Sequence, residues 1–172
     1  MQRELLLLRH GKSDWRQAVA DLERPLKHRG ERNATQVGAW LRANDLLPDI
    51  IISSPAARAV DTARRVRVAG AWEDLPMRTD ERIYAAELED LLAVIADLPA
   101  GTARVLLVGH NPGLEELLVY LAGPQVDTPA DGKLLPTATL ARLRMPGSWR
   151  KLNPGSGRLL GITRPGDIVL PG

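Results

Sequence analysis

The sequence predicts an α/β domain in which helices are layered on a mainly parallel sheet. Three short apolar runs, at residues 3–9, 49–53 and 104–108, are typical of parallel strands buried on both faces. Segments with helical periodicity or helix-boundary residues separate these runs, and such alternation is typical of parallel α/β sheets. The chain shows no internal repeat and no linker, so we expect residues 1–172 to form one domain.

The N-terminal quarter of the chain contains the first strand, a long loop and a helix. The run RELLLLR at residues 3–9 is the strand, and a polar loop extends from Gly11 to about Lys27. A helix is expected from Gly30 to Asn44, because its apolar residues recur on one face. These residues are Ala34, Val37, Trp40 and Leu41.

The second strand is the run DIIIS at residues 49–53, which follows Pro48. Ser54 and Pro55 predict the start of a helix, with the serine as the cap and the proline at the first helical position. The inward face of this helix is expected to carry Ala59, Thr62, Ala63 and Val66. An edge strand is expected within residues 71–84.

The second half of the chain continues the alternation and then changes character. A helix is predicted at Glu87–Leu98, the third buried strand at Arg104–Val108, and another helix at Pro112–Leu121. The last fifty residues are rich in proline and glycine. Their alternating segments, Thr137–Met145 and Arg158–Arg164, predict two more strands.

Composition excludes several classes of function. The absence of cysteine excludes disulfides and thiolate nucleophiles, and three histidines are too few for a multi-histidine metal centre, so we expect neither metal nor cofactor. The net charge of +2 gives no basic stripe for nucleic acid. No signal peptide or membrane span is visible, which predicts a cytoplasmic protein. The sequence shows no exposed apolar stripe, so it does not predict an oligomeric state.

Polar residues end each of the three buried strands. Arg9 and His10 follow the first strand, Arg58 lies one turn into the helix after the second, and His110 follows the third. Because ligands bind at the carboxyl edge of a parallel sheet, these four side chains are expected to converge there. Two arginines and two histidines with no adjacent carboxylate would form a cationic cup that suits a phosphoryl group.

Each of these residues taken alone also fits a structural role. A histidine at a strand end is often a hydrogen-bonded structural residue, and Arg58 could be a surface charge on a helix. His28, in a charged stretch, is expected to be exposed. The functional interpretation rests on the joint placement of four residues at three strand ends.

Several segments resemble the histidine phosphatase superfamily. LRHGKSDW at residues 8–15 resembles its signature, SSPAARAVDTA at 53–63 its second motif, and VGHNPGLEELL at 108–118 its third. RPLKHRG at 24–30 and LLPTATLARL at 134–143 are similar to segments of its SixA-type phosphohistidine phosphatases. The resemblance covers most of the chain in the family's order. It implies a three-layer α/β/α sandwich, phosphoglycerate-mutase-like, with a mainly parallel central sheet.

The resemblance also implies roles for the residues at the strand ends. His10 would be the nucleophile and would form a transient phosphohistidine, while Arg9, Arg58 and His110 would stabilise charge on the phosphoryl oxygens. The arginines would lower the pKa of His10 and keep its attacking nitrogen free. Ser13 could donate a further hydrogen bond to phosphate.

A phosphate ester needs a general acid to protonate its leaving group. Other branches of the superfamily use a glutamate in a segment like E-R-x-Y, which Glu81-Arg82-Ile83-Tyr84 resembles. Glu81 is therefore the candidate acid and Glu87 the reserve. As a structural alternative, Glu81 is a surface carboxylate.

Three hypotheses about function follow. The first is a phosphatase acting on phosphohistidine in a partner protein, which the short chain favours because it leaves little room for a lid. The second is a broad phosphomonoesterase for small phosphate esters that uses the same pocket. The third is a phosphate-binding module without turnover, which would not require a nucleophile.

Overall fold

One six-stranded sheet organises the computed structural model, which describes residues 1–170. The strand order is β3-β2-β4-β1-β5-β6. The strands are β1 (Arg3–Arg9), β2 (Ile50–Ser53), β3 (Met77–Thr79), β4 (Arg104–Gly109), β5 (Leu140–Met145) and β6 (Arg158–Thr163). Strands β3, β2, β4 and β1 pair in parallel, whereas β5 is antiparallel to both β1 and β6. The sheet is therefore mixed and mainly parallel, as the sequence predicts.

Helices cover both faces of this sheet. The helices are α1 (His28–Ala43), α2 (Ala57–Ala69), α3 (Leu88–Ala96) and α4 (Gly113–Ala122). One apolar cluster joins α1 and α2 to the sheet, and a second joins α3 and α4 to its other face. This arrangement confirms the expected α/β/α layering.

The leucine run of β1 shows why the strand is buried on both faces. Leu6 and Leu8 belong to the cluster with α1 and α2, whereas Leu5 and Leu7 belong to the cluster with α3 and α4. All four side chains are fully buried, as expected for a strand whose side chains alternate between two covered faces. The burial of β1 fixes the position of the residues that follow it.

The predicted start of α2 is wrong by two residues. Ser54 does not cap the helix: its backbone N–H donates to Val108 O at 3.0 Å, which extends the β2–β4 pairing by one residue. Helix α2 therefore begins at Ala57, after Ala56 in the cap position, and its first N–H groups receive no side-chain cap. The Ser54 hydroxyl accepts from Ala56 N at 3.2 Å and contacts His110.

The predicted polar loop is tied together at its base. Ser13 and Leu26 form an isolated antiparallel bridge, Asp14 N donates to Pro25 O at 2.8 Å, and Lys27 N donates to Lys12 O at 2.8 Å. The chain between these pairs is called the 15–24 loop below. Its only regular element within the described chain is a short 3₁₀ turn at Asp21–Glu23.

Close backbone contact fixes this base against α1. A Cβ on Gly11 would lie 2.8 Å from Gly30 O, and a Cβ on Gly30 would lie 2.3 Å from Lys12 O. Two glycines are therefore needed where the end of β1 meets the start of α1. Between residues 1 and 170, no helix has the length and apolar character required to cross a bilayer.

Candidate active site

The three strand ends converge on one cavity of about 300 Å³. Its lining includes Arg9 at the end of β1, His10 directly after it, Arg58 in the first turn of α2, and His110 directly after β4. The rings of His10 and His110 are 5.0 Å apart between centroids. These four side chains, called the strand-end cluster below, are those that the sequence predicts to meet.

The hydrogen bonding of His10 fixes its neutral tautomer. Nδ1 lies 2.7 Å from Gly11 O, and a carbonyl oxygen can only accept, so Nδ1 carries the proton and Nε2 carries the lone pair. Burial is the largest cause that lowers the pKa of His10, to about 3, and the charges of His110, Arg58 and Arg9 act in the same direction. The sequence predicts this effect from the arginines alone, but desolvation of the ring is the larger contribution.

His110 is held from two sides. Its Nε2 lies 2.7 Å from Ser54 Oγ, and its Nδ1 lies 3.5 Å from Nη2 of Arg58. Because a guanidinium can only donate, Nδ1 is the accepting nitrogen and Nε2 donates to the serine. Burial first, and then the charge of Arg58, lower the pKa of His110 to about 4. Both rings are thus neutral at physiological pH.

The two arginines of the cluster keep donor capacity for an anion. Arg9 donates from Nη1 to Leu135 O at 3.2 Å, and Arg58 donates from Nη1 to Asp21 O at 2.6 Å. The Nε–H groups of Arg9 and Arg58 are buried and have no hydrogen-bond partner within residues 1–170. Each guanidinium also carries four N–H groups on its two Nη atoms, so both arginines have donors beyond these bonds for an anion in the cavity.

The expectation that no carboxylate adjoins the cluster is wrong. Asp21, in the 15–24 loop, lines the same cavity and accepts from Nη2 of Arg58 at 3.0 Å and from the Tyr84 hydroxyl at 2.6 Å. It also accepts from Nη1 of Arg24. The hydrogen bond from Tyr84, followed by those from Arg24 and Arg58, holds the pKa of Asp21 far below its usual range. Asp21 is therefore ionised and serves as an acceptor.

Two further loop residues at the cavity connect to Ser13. Ser13 is buried, lines the cavity, and accepts from Nε of Arg24 at 3.0 Å. The guanidinium of Arg24 in turn lies 3.6 Å from the centre of the Trp15 ring. Asp21, Arg24 and Tyr84 are cavity residues that the sequence does not predict, and the only signal for Arg24 is its place in the segment RPLKHRG.

Comparison with known proteins identifies the family. The family model for the histidine phosphatase superfamily, branch 1, matches residues 5–84. A protein of Mycobacterium tuberculosis is 33% identical over 162 residues, which cover 92% of this chain and 99% of that protein. The chain belongs to the histidine phosphatase superfamily.

Solved structures place this histidine phosphatase in the SixA-type branch. A structure from Nakamurella multipartitia assigned as phosphohistidine phosphatase SixA has a TM-score of 0.83 and 28% identity, covering 96% of this chain and 97% of its own. A second, from Agrobacterium tumefaciens, has a TM-score of 0.81 and 27% identity, covering 95% and 98%. The protein is thus a SixA-type phosphatase with a phosphoglycerate-mutase-like fold.

The structure does not bring Glu81 to the cavity of this phosphatase. Glu81 is exposed in a short 3₁₀ turn, and Tyr84 from the same segment lines the cavity instead. Glu87 lines a neighbouring groove of about 620 Å³, which shares His110 and Asn111 with the cavity. Asp21 is thus the one carboxylate among the described residues that line the cavity.

The histidine phosphatase shows no metal-binding cluster among residues 1–170. No group of three or more histidine, cysteine, aspartate or glutamate side chains in this part of the chain is placed to hold an ion. The polar groups that the described residues present at the cavity are therefore guanidinium, ammonium, imidazole, amide, indole, hydroxyl and one carboxylate. His28, the remaining histidine, is exposed on α1 as the sequence predicts.

Proposed function

We propose that this phosphatase hydrolyses phosphohistidine in a partner protein through a transient phosphohistidine on His10. The observation that carries the proposal is the neutral tautomer of His10, whose unprotonated Nε2 lies in a cavity lined by guanidinium groups. A nucleophile needs a free lone pair, and a dianionic phosphoryl group needs fixed positive charge. The strand-end cluster supplies both within one cavity.

The reaction has two displacements at phosphorus. In the first, His10 Nε2 forms a P–N bond while the bond from phosphorus to the substrate nitrogen breaks, and its electron pair stays on the departing imidazole. In the second, water attacks the phosphoryl group on His10, the P–Nε2 bond breaks, and inorganic phosphate leaves. The proton lost by the water goes to solvent, and His10 regains its lone pair. The Nδ1–H bond to Gly11 O holds the ring in one orientation through both steps.

The other members of the strand-end cluster stabilise the negative charge of the phosphoryl group. Arg9 and Arg58 line the cavity and donate to the phosphoryl oxygens. His110 can donate from Nδ1 only after taking up a proton, which the added charge of a bound dianion favours because it raises the pKa of a neighbouring imidazole. Ser13 is a further donor at the cavity wall.

The carboxylates in and near the cavity support an imidazole leaving group. An alkoxide requires a proton from a positioned acid, but Asp21 is ionised and Glu81 lies outside the cavity. A phosphorylated imidazole can take a proton from solvent on the ring nitrogen that is not bonded to phosphorus. It then leaves as neutral imidazole and needs no acid from the protein.

A substrate panel tests the proposal. Phosphohistidine in a peptide, phenyl phosphate, a sugar phosphate and a nucleotide are compared by kcat/KM with the full chain. We expect phosphohistidine to be turned over at least about tenfold faster than the alkyl esters, because these need an acid catalyst whose contribution is often 10² or more. Equal rates for phosphohistidine and simple esters would instead support the broad phosphomonoesterase.

A further inference from the structure

Trp15 is a large apolar side chain on the surface beside the phosphatase cavity. It is 72% exposed, although tryptophan is usually well buried, and it lines the same cavity as His10 and Arg58. It belongs to the KSDW string of the first motif, and neither the core nor the proposed chemistry uses it. Its exposure beside a phosphate site therefore requires an explanation.

The indole is held in place although it is exposed. One ring face packs on the Arg24 guanidinium, whose central carbon lies 3.6 Å from the ring centre. Arg24 is only 7% exposed and is itself held by Ser13 and Asp21. The backbone bond from Asp14 N to Pro25 O keeps the two flanks of the pair together. The uncovered part of the indole is thus a preformed surface.

The geometry of phosphoryl transfer places the leaving group on this side of the cavity. The attacking and leaving atoms lie roughly in line through phosphorus, so the leaving group points away from His10. His10 is buried at the end of β1, whereas Trp15 is exposed and lines the same cavity, so Trp15 belongs to the cavity rim. A leaving group that points away from the buried His10 points towards this rim, where the indole is one of the groups that it can contact.

We propose that Trp15 is a specificity-determining residue that selects substrates whose leaving group is a planar ring, by stacking on it. Aromatic rings stabilise each other in offset or edge-to-face contact beyond the burial of their area. The imidazole of phosphohistidine is such a ring, so the inference rests on the proposed function and deepens it. Aryl phosphates share the feature, whereas alkyl phosphates and phosphoramidate lack it.

The test compares a ring and a ringless substrate within each variant. Phosphohistidine and phosphoramidate both present a P–N bond, so the ratio of their kcat/KM values reports the ring and cancels changes common to phosphoryl transfer. Trp15→Ala is expected to lower this ratio about tenfold, and Trp15→Phe to keep most of it. Val68→Ala, which also removes an exposed apolar side chain, is the matched control because Val68 lies outside the cavity.

Two results would overturn the inference. An unchanged ratio in Trp15→Ala would show that the indole does not contact the leaving group. If Trp15→Leu kept the wild-type ratio of kcat/KM for phosphohistidine to that for phosphoramidate, any apolar side chain would suffice and stacking would not be the cause of the preference.

A second substrate pair separates this inference from the proposed function. Phenyl phosphate and ethyl phosphate are compared in the same variants. If the wild type shows no preference for phosphohistidine, the proposed function fails; a lower phenyl-to-ethyl ratio in Trp15→Ala would then still support the ring preference. If phosphohistidine is preferred and both ratios survive Trp15→Ala, only the Trp15 inference fails.

Discussion

The strand-end cluster and the 15–24 loop meet at one cavity but are held by different forces. His10 and Arg58 are buried at the edge of a sheet, and burial dominates the lowered pKa of His10. Asp21 and Trp15 are exposed, and their contacts are charge pairs, the hydrogen bond from the Tyr84 hydroxyl and one stacked guanidinium. The pKa of His10 therefore depends mainly on burial, whereas each loop contact has one partner, Asp21 or Trp15, that is exposed to water and ions. Changes in the two regions should differ in size and in kind.

Replacing the nucleophile is the strongest test of the strand-end cluster. His10→Ala removes the group to which phosphorus is transferred, and we expect kcat to fall by at least about 10⁴-fold while phosphate still binds to the arginines. Steady-state kinetics and phosphate inhibition measure the two effects. His28→Ala, at an exposed histidine, is the control and should leave turnover as in the wild type. Substantial turnover in His10→Ala would assign the nucleophile elsewhere.

Stability should fall as the pH is lowered, because the cluster histidines are neutral when folded. Their pKa values are lowered to about 3 and about 4, so between pH 7 and pH 5 the unfolded chain takes up protons that the folded chain refuses. Each histidine should cost about 2 kcal/mol of unfolding free energy over this interval. Urea titrations at the two pH values measure the loss.

The matched variant isolates the contribution of His10. His10→Gln cannot titrate, so its stability should change by about 2 kcal/mol less than that of the wild type over the same interval. The pKa of Asp21 is lowered in the folded protein, so Asp21 affects the free energy of unfolding only at pH values below the usual titration range of a carboxylate. It therefore does not contribute between pH 7 and pH 5. If the free energy of unfolding had the same pH dependence in the variant and the wild type, the pKa of His10 would not be lowered in the folded protein.

A smaller effect is expected from the loop carboxylate. Asp21→Asn keeps one acceptor for Arg58 but removes the charge, so Arg58 is held less firmly; we expect kcat to fall about tenfold. Inorganic phosphate should bind a few-fold more tightly, because a negative charge has left the cavity. Asp61→Asn, on the outside of α2, is the control. Weaker phosphate binding in Asp21→Asn would contradict this view of the loop.

The smallest effect is expected at Glu81. Its carboxylate is exposed and does not line the cavity, so Glu81→Gln should change kcat/KM for phenyl phosphate by less than about twofold. The same measurement on Glu87→Gln covers the reserve candidate, which lines the neighbouring groove. A large loss for either variant with esters alone would restore that glutamate as a general acid.

The fold and the cluster were predictable because burial leaves a strong pattern. The apolar runs that became β1, β2 and β4 are covered on both faces, so their composition alone marks them as parallel strands. The edge rule for parallel sheets then brings His10, Arg58 and His110 together without any knowledge of distances.

The rest of the site depends on loop conformation, and loop segments show no periodic pattern in the sequence that would predict it. Asp21 and Arg24 reach the cavity because the loop closes at its base, and no spacing in the sequence encodes that closure. The Ser54-Pro55 signal failed because a backbone bond to β4 competes with capping. Glu81 was placed by analogy with a short motif, which fixes the chain position but not the direction of the side chain.

The hydrogen bonds at the base of the 15–24 loop have a consequence for how substrate range can change. Lys12 and Lys27 lie side by side, so the span between them leaves and re-enters the body of the protein at a single point. Lengthening such a loop costs little, about 0.6 kcal/mol for each doubling. A new segment inserted within residues 16–20, which do not line the cavity, would leave Asp21 and Arg24 in place, so this part of the loop is the natural place to engineer a different selectivity.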